Sequence, residues 1–170
     1  MKNILLILAL ISFAACSSGS MGGGTLKTVT EDNPQGKRIA EGTTLNDVKH
    51  GSWATYHAKN GLVATLTNYV NGSREGIFIK LNDRGNLEEK AFFKNDQFHG
   101  EFKKYNRTKV KEEATFVNGL LDGVRKTYYD NGEIQSEEGW KMGKKDGPSK
   151  YYNEAGEVKF EQNYKNGEKI

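Results

Sequence analysis

NGLLDG, residues 118–123, reads as a loop: an Asn-Gly pair, two leucines, and an aspartate before a second glycine. The same punctuation is written four more times, as NDVKHG at 46–51, NGSREG at 71–76, NDQFHG at 95–100 and MGKKDG at 142–147. The closing glycines, Gly51, Gly76, Gly100, Gly123 and Gly147, are spaced by 25, 24, 23 and 24 residues. Self-similarity at a fixed period of this length is the mark of a repeat architecture, and it has to be read before any local motif.

Five residues after each closing glycine stands Tyr56, Leu81, Tyr105, Tyr128 or Tyr152. A second turn follows. It is clear at Asn60-Gly61 and Asn131-Gly132, looser at Arg84-Gly85 and Ala155-Gly156, and without glycine at Asn106 to Thr108. The next segment carries pairs six residues apart: Val63 and Tyr69, Leu87 and Phe93, Val110 and Phe116, Ile134 and Trp140, Val158 and Tyr164. Even spacing predicts that both members share one face of a strand. The other parity is mostly polar, as in Glu88, Lys90, Lys111, Glu113, Gln135, Glu137, Lys159 and Glu161. One face is therefore expected to be buried at its ends and the other wet. Ile39 and Leu45 repeat the six-residue spacing 24 residues before Val63 and Tyr69, so half a repeat precedes the first full one.

Asn-Gly and Asp-Gly supply the positive φ that tight hairpins demand, and a glycine beginning the next strand lets the backbone pass close to an aromatic ring. Each repeat becomes two short antiparallel strands. From Ile39 to Lys165 that makes one strand plus five pairs, about 11 strands, or roughly 50 Å of sheet at about 4.8 Å per strand. The predicted fold is all-β: an elongated antiparallel β-meander of tandem β-hairpins, as a single-layer or solenoid-like sheet. One hairpin alone is marginal in water, whereas rings stacked along neighbouring repeats build a continuous narrow core.

The pattern of glycine, a strand ending in Tyr, Asn-Gly, a strand ending in an aromatic, then the closing loop resembles the MORN repeat, and in particular the variant found in bacterial lipoproteins and antitoxin-like proteins. The resemblance spans residues 36 to 170. The first-strand aromatic is present as Trp53, Phe78 and Phe102 and is replaced by Arg125 and Ser149. The repeat domain is placed at 37–170, with a half repeat at 37–50 and repeats at 51–75, 76–99, 100–122, 123–146 and 147–170.

The amino terminus is a different material. MKNILLILALISFAAC carries Lys2, an apolar run through Phe13, then Ala14, Ala15 and Cys16, which reads as a secretory signal peptide over 1–15. The small residues before the cysteine resemble a bacterial lipobox, with Phe13 where Leu is usual. That resemblance implies cleavage before Cys16 and lipidation of its sulfur. Cys16 is the only cysteine, so an intrachain disulfide is excluded and a lone thiol there is explained as an anchor. Residues 16–36 read as a flexible Gly/Ser-rich linker, holding the repeats on the order of 25 Å from the bilayer. The absence of acidic residues directly after Cys16 resembles outer-membrane sorting. Met21 is an alternative start that would remove the signal.

Lys plus Arg number 25 against 22 Asp plus Glu, dispersed rather than gathered in a stripe, and the mean hydropathy is −0.75. Neither balance suits a nucleic-acid binder or a thick core. No phosphate loop, nucleophile elbow or zinc-cysteine pattern is present, so no cofactor and no metal are expected. His50 and His99 fill the slot held elsewhere by Glu75, Asp122 and Asp146, as turn residues, although His99, Asp122 and Asp146 could align as a weak cation column. The paired carboxylates Glu88-Glu89, Glu112-Glu113 and Glu137-Glu138 suit cross-strand ion pairs better than acid-base catalysis, which needs a cleft. In Tyr128-Tyr129 and Tyr151-Tyr152 one ring falls on each face. Tyr129 and Tyr151 are thus candidate partner-binding aromatics, set against a plain packing role.

The expected function is that of an exported lipoprotein, anchored in the envelope through lipid on Cys16, whose repeats form a non-catalytic scaffold for a protein or envelope partner. Its final stretch, NGEKI, leaves the last strand uncovered and open to a partner strand. Rival readings are an antitoxin or immunity-like binder that neutralises a toxin, and an envelope hydrolase or glycan-binding module.

Overall fold

The computed structural model describes residues 24–170. They form fourteen strands: β1 (Leu26–Asp32), β2 (Arg38–Leu45), β3 (Val48–Tyr56), β4 (Val63–Val70), β5 (Ser73–Leu81), β6 (Leu87–Lys94), β7 (Gln97–Asn106), β8 (Lys109–Val117), β9 (Leu120–Leu121), β10 (Gly123–Tyr128), β11 (Ile134–Lys141), β12 (Lys144–Tyr152), β13 (Val158–Lys165) and β14 (Glu168–Lys169). Each pairs antiparallel with its sequence neighbours, apart from the two-residue β9, which pairs only with β8 while β8 and β10 pair directly. The result is an open meander in a single sheet.

The repeated loop is two devices in series. Its first two residues make a tight turn with both φ positive, as at Asn118 (49°) and Gly119 (80°), the backbone that a two-residue type I′ hairpin requires. The strand resumes at once, at Val48, Ser73, Gln97, Leu120 and Lys144. The closing glycine therefore does not begin the strand, as expected from the sequence, but sits three residues inside it. There one residue of the preceding strand opposes three: Gly139, for instance, lies between pairs Glu138–Ser149 and Trp140–Lys145, against Asp146, Gly147 and Pro148. At Gly123 this bulge breaks the strand into β9 and β10.

A second irregularity overturns the expectation that the six-residue pairs share a face. Tyr56 pairs with Val63 and Thr55 with Thr65, leaving Ala64 extra, and the same one-residue bulge recurs at Glu88, Lys111, Gln135 and Lys159. One inserted residue reverses the side-chain alternation. Val63, Leu87, Val110, Ile134 and Val158 thus stand opposite Tyr56, Leu81, Tyr105, Tyr128 and Tyr152, while their six-residue partners lie on the other face.

Residues 24–36 correct the linker boundary. Leu26–Asp32 is β1, held to β2 along its length, and Asn33 to Gly36 make the turn. Thr28, Val29 and Thr30 carry the β-branched alternation of a strand, and Val29 takes the row position that Trp53 and Phe78 occupy later. At the other end β14 pairs with Tyr164 and Lys165, so the last long strand is partly covered.

The register sets transverse rows of side chains. On the first face one row runs Val29, Gly42, Trp53, Thr67, Phe78, Ala91, Phe102, Ala114, then Arg125, Glu138, Ser149, Gln162. The core lies under its first part. Ala91, Phe93, Phe102 and Ala114 are buried, with Phe78, Phe98, Phe116 and Leu121 packed on them, and a second cluster joins Val29, Ala40 and Trp53 to Tyr69. Edge-on rings such as Phe78 on Phe93 (5.7 Å) and Phe102 on Phe116 (5.5 Å) give the favoured aromatic geometry.

Candidate functional site: the two faces of the sheet

Beyond Ala114 the same row changes chemistry. Arg125 takes the place of Phe102 and Glu138 that of Ala114, and the aromatic layer becomes a charged one. Arg125 Nε donates to Glu112 Oε1 at 2.8 Å and Nη1 to Glu138 Oε2 at 3.1 Å. Lys145 Nζ donates to Glu138 Oε1 at 2.6 Å, and the Tyr151 hydroxyl donates to the same oxygen. Only 7% of the Glu138 side chain is exposed. Burial pushes its carboxyl upward, but Lys145, Tyr151 and Arg125 together outweigh burial and hold it below the ordinary value. Lys145 also lies 5.2 Å from the Tyr164 ring centre. Ser149 Oγ and Trp140 Nε1 are buried beside this group without a hydrogen-bond partner.

The second face carries an ion ladder. Lys103 meets Glu113 at 3.0 Å, Lys126 meets Glu137 at 2.9 Å and Lys150 meets Glu161 at 3.4 Å, one pair in each C-terminal hairpin. Tyrosines close it: Tyr128 donates to Glu113 at 2.9 Å and Tyr152 to Glu137 at 2.8 Å, as Tyr56 does to Glu41 at 2.6 Å. Each couple joins residues 15 apart. Two shallow hollows mark this face, of about 190 Å³ beside Val124, Gly139 and Pro148 and about 170 Å³ beside Glu101 and Thr115.

The candidates read from the sequence fall as follows in the fold. Cys16 lies outside the described residues. Tyr129 and Tyr151, the candidate partner-binding aromatics, are half-buried, with hydroxyls donating to the Tyr152 carbonyl (2.7 Å) and to Glu138. The carboxylate doublets are split between faces: Glu112 and Glu138 serve Arg125, while Glu113 and Glu137 belong to the ladder. In four of the five loops the slot before the closing glycine caps the next repeat's turn, while His50 Nδ1 is buried without a partner. Glu75 accepts the Asn95 N–H, Asp122 that of Met142, Asp146 that of Asn166, and His99 Nδ1 that of Asn118. His99, Asp122 and Asp146 are thereby spent on three successive turns, and among the described residues no group of three or more metal-type ligands gathers.

Sequence reasoning missed the Arg125–Glu138 exchange and the tyrosine–glutamate couples. A partial signal for the latter was present in slots 15 apart: Glu41/Tyr56, Glu113/Tyr128 and Glu137/Tyr152, with Leu66/Leu81 apolar at both ends and Lys90/Tyr105 outside the pattern. Residues 121–142 and 145–166 match the family model of a MORN repeat variant. No curated protein matches the chain significantly.

Proposed function

We propose that this MORN repeat protein is a lipid-anchored, non-catalytic scaffold of a bacterial envelope, exported by residues 1–15, held through Cys16, and offering its sheet to a protein partner. MORN repeats are protein- and membrane-interaction motifs, and the observation that carries the reading is the open single sheet. Both of its long faces meet solvent, and the two hollows on the second face are shallow. An extended surface with patterned charge suits contact over area, whereas a small-molecule site needs a pocket that buries most of its ligand. The lysines of the second face are matched by glutamates, which leaves little net field to attract a polyanion.

Two measurements test it. Metabolic labelling with a fatty acid should mark the wild type and not Cys16→Ser; equal labelling of both removes the anchor. Crosslinking in native envelopes should join residues of the sheet to a protein neighbour. Recovery of the full chain in the soluble cytoplasmic fraction overturns the envelope assignment.

A further inference from the structure

The ladder on the second face has a symmetry that its individual ion pairs do not need. Read across six neighbouring strands, β7, β8, β10, β11, β12 and β13, the row is Lys103, Glu113, Lys126, Glu137, Lys150, Glu161. An alternating row with an even number of members is complementary to its own reversal. We infer that this face pairs with the same face of a second copy, about a two-fold axis parallel to the strands and running between β10 and β11. That operation sets Lys126 over the partner copy's Glu137, Glu113 over Lys150 and Lys103 over Glu161. A two-fold along the row would instead set each charge on its like, so the charges select one axis.

The rows on either side fit the same operation. Val124, 53% exposed, comes to lie over Gly139, beside the 190 Å³ hollow, and this happens twice by symmetry. A bulge into a hollow is the shape match that an isologous interface requires. On the other side Tyr128 comes over Ile134, Tyr105 over Val158 and Tyr152 over Val110, so rings meet aliphatic side chains rather than rings. Glycine at 139 is itself enforced, because a Cβ there would strike the Asp146 carbonyl oxygen. The six charges remain half-exposed, so each can take a second opposite charge while keeping its own. Sheets stacked face to face lie about 10 Å apart, a distance that extended lysine and glutamate side chains span. Closure about a two-fold gives a dimer rather than a filament.

This inference goes beyond the scaffold reading and does not rest on the anchor. The full chain, purified in a mild non-ionic detergent, is to be sedimented at low and high salt. A dimer is expected at low salt, weakening about tenfold or more as salt screens the row. Lys126→Glu and Glu137→Lys should each be monomeric alone, since each sets like charges across the axis, and their mixture should dimerise, since position 126 of one then meets position 137 of the other with opposite sign. Lys126→Glu breaks the half-exposed pair with Glu137, Glu137→Lys breaks that pair and the Tyr152 hydrogen bond, and an unchanged circular dichroism spectrum confirms the sheet in both. A wild type that stays monomeric at low salt, a dimer indifferent to salt, single variants that dimerise like the wild type, or a mixture that remains monomeric would each overturn the proposal.

Discussion

Arg125 and Glu138 face each other across β10 and β11 at 3.1 Å, on the row where Phe102 and Ala114 pair one repeat earlier. One backbone thus supports an apolar filling and an ionic one, so the ionic version is a choice of side chains rather than a demand of the fold. Breaking a buried pair leaves an uncompensated charge, whereas replacing the whole pair by packed apolar groups is often neutral or stabilising. Glu138→Ala alone, which strands Arg125, Lys145 and Tyr151, should cost about 2–4 kcal/mol in urea unfolding. Arg125→Phe with Glu138→Ala removes the stranded guanidinium but leaves Glu112, Lys145 and Tyr151 without their partner, so it should recover only part of that loss, about 1–2 kcal/mol.

Stability should fall at both ends of the pH scale. Glu113, Glu137 and Glu138 titrate below the ordinary 4.5, so their contribution is complete above that value and is lost as pH falls through the lowered ones. Tyr128 is pushed up to about 12, by burial first and by Glu113 second, from 10.0. Its contribution is complete below 10.0 and is lost as pH rises toward 12, because the unfolded chain releases the proton first. The urea midpoint against pH should therefore decline on the alkaline side, and Tyr128→Phe should flatten that decline.

Fold class and period were legible because turns announce themselves: Asn-Gly at 71, 118 and 166 carries positive φ that few other residues accept, and its recurrence fixes the repeat. The faces were not legible. A bulge at Ala64 or Lys111 adds one residue to a strand without any residue type reserved for it, and one residue is enough to send Val63 and Tyr69 to opposite sides. β1 was hidden by the polar letters around Thr28 and Thr30, since an edge strand half-open to water needs little apolar character. Arg125 was visible as a departure from Trp53, Phe78 and Phe102. Its compensation by Glu138 required the register.

The couple Glu41–Tyr56 and its apolar counterpart Leu66–Leu81 occupy equivalent places, so they should be exchangeable as pairs and not singly. Leu81→Tyr leaves a hydroxyl facing Leu66, and Leu66→Glu a carboxylate facing Leu81. A double-mutant cycle between them, followed by urea unfolding, should show favourable coupling of about 0.5–1.5 kcal/mol. Zero coupling would mean that the tyrosine hydroxyls bond mainly to water.

Met142 is the one turn residue in its slot that gains nothing from the left-handed backbone. Its φ is 49°, matching Asn71, Asn118 and Asn166 at 50°, 49° and 51°, yet it lacks the short polar side chain that makes this conformation acceptable. It is 56% exposed, so packing does not hold it there. What does is the N–H, which Asp122 accepts at 3.1 Å from the preceding repeat, together with the Gly143 N–H bonded to the Leu121 carbonyl. Met142→Asn should therefore stabilise the protein by about 0.5–1 kcal/mol, and Asp122→Ala should destabilise it by about 1 kcal/mol. The two act on one turn, so the gain from asparagine should be larger in the Asp122→Ala background, where the intrinsic preference of the turn residue is all that remains. Urea unfolding of the four proteins checks the sign of that difference, and equal gains in both backgrounds would show that turn preference and cap act independently.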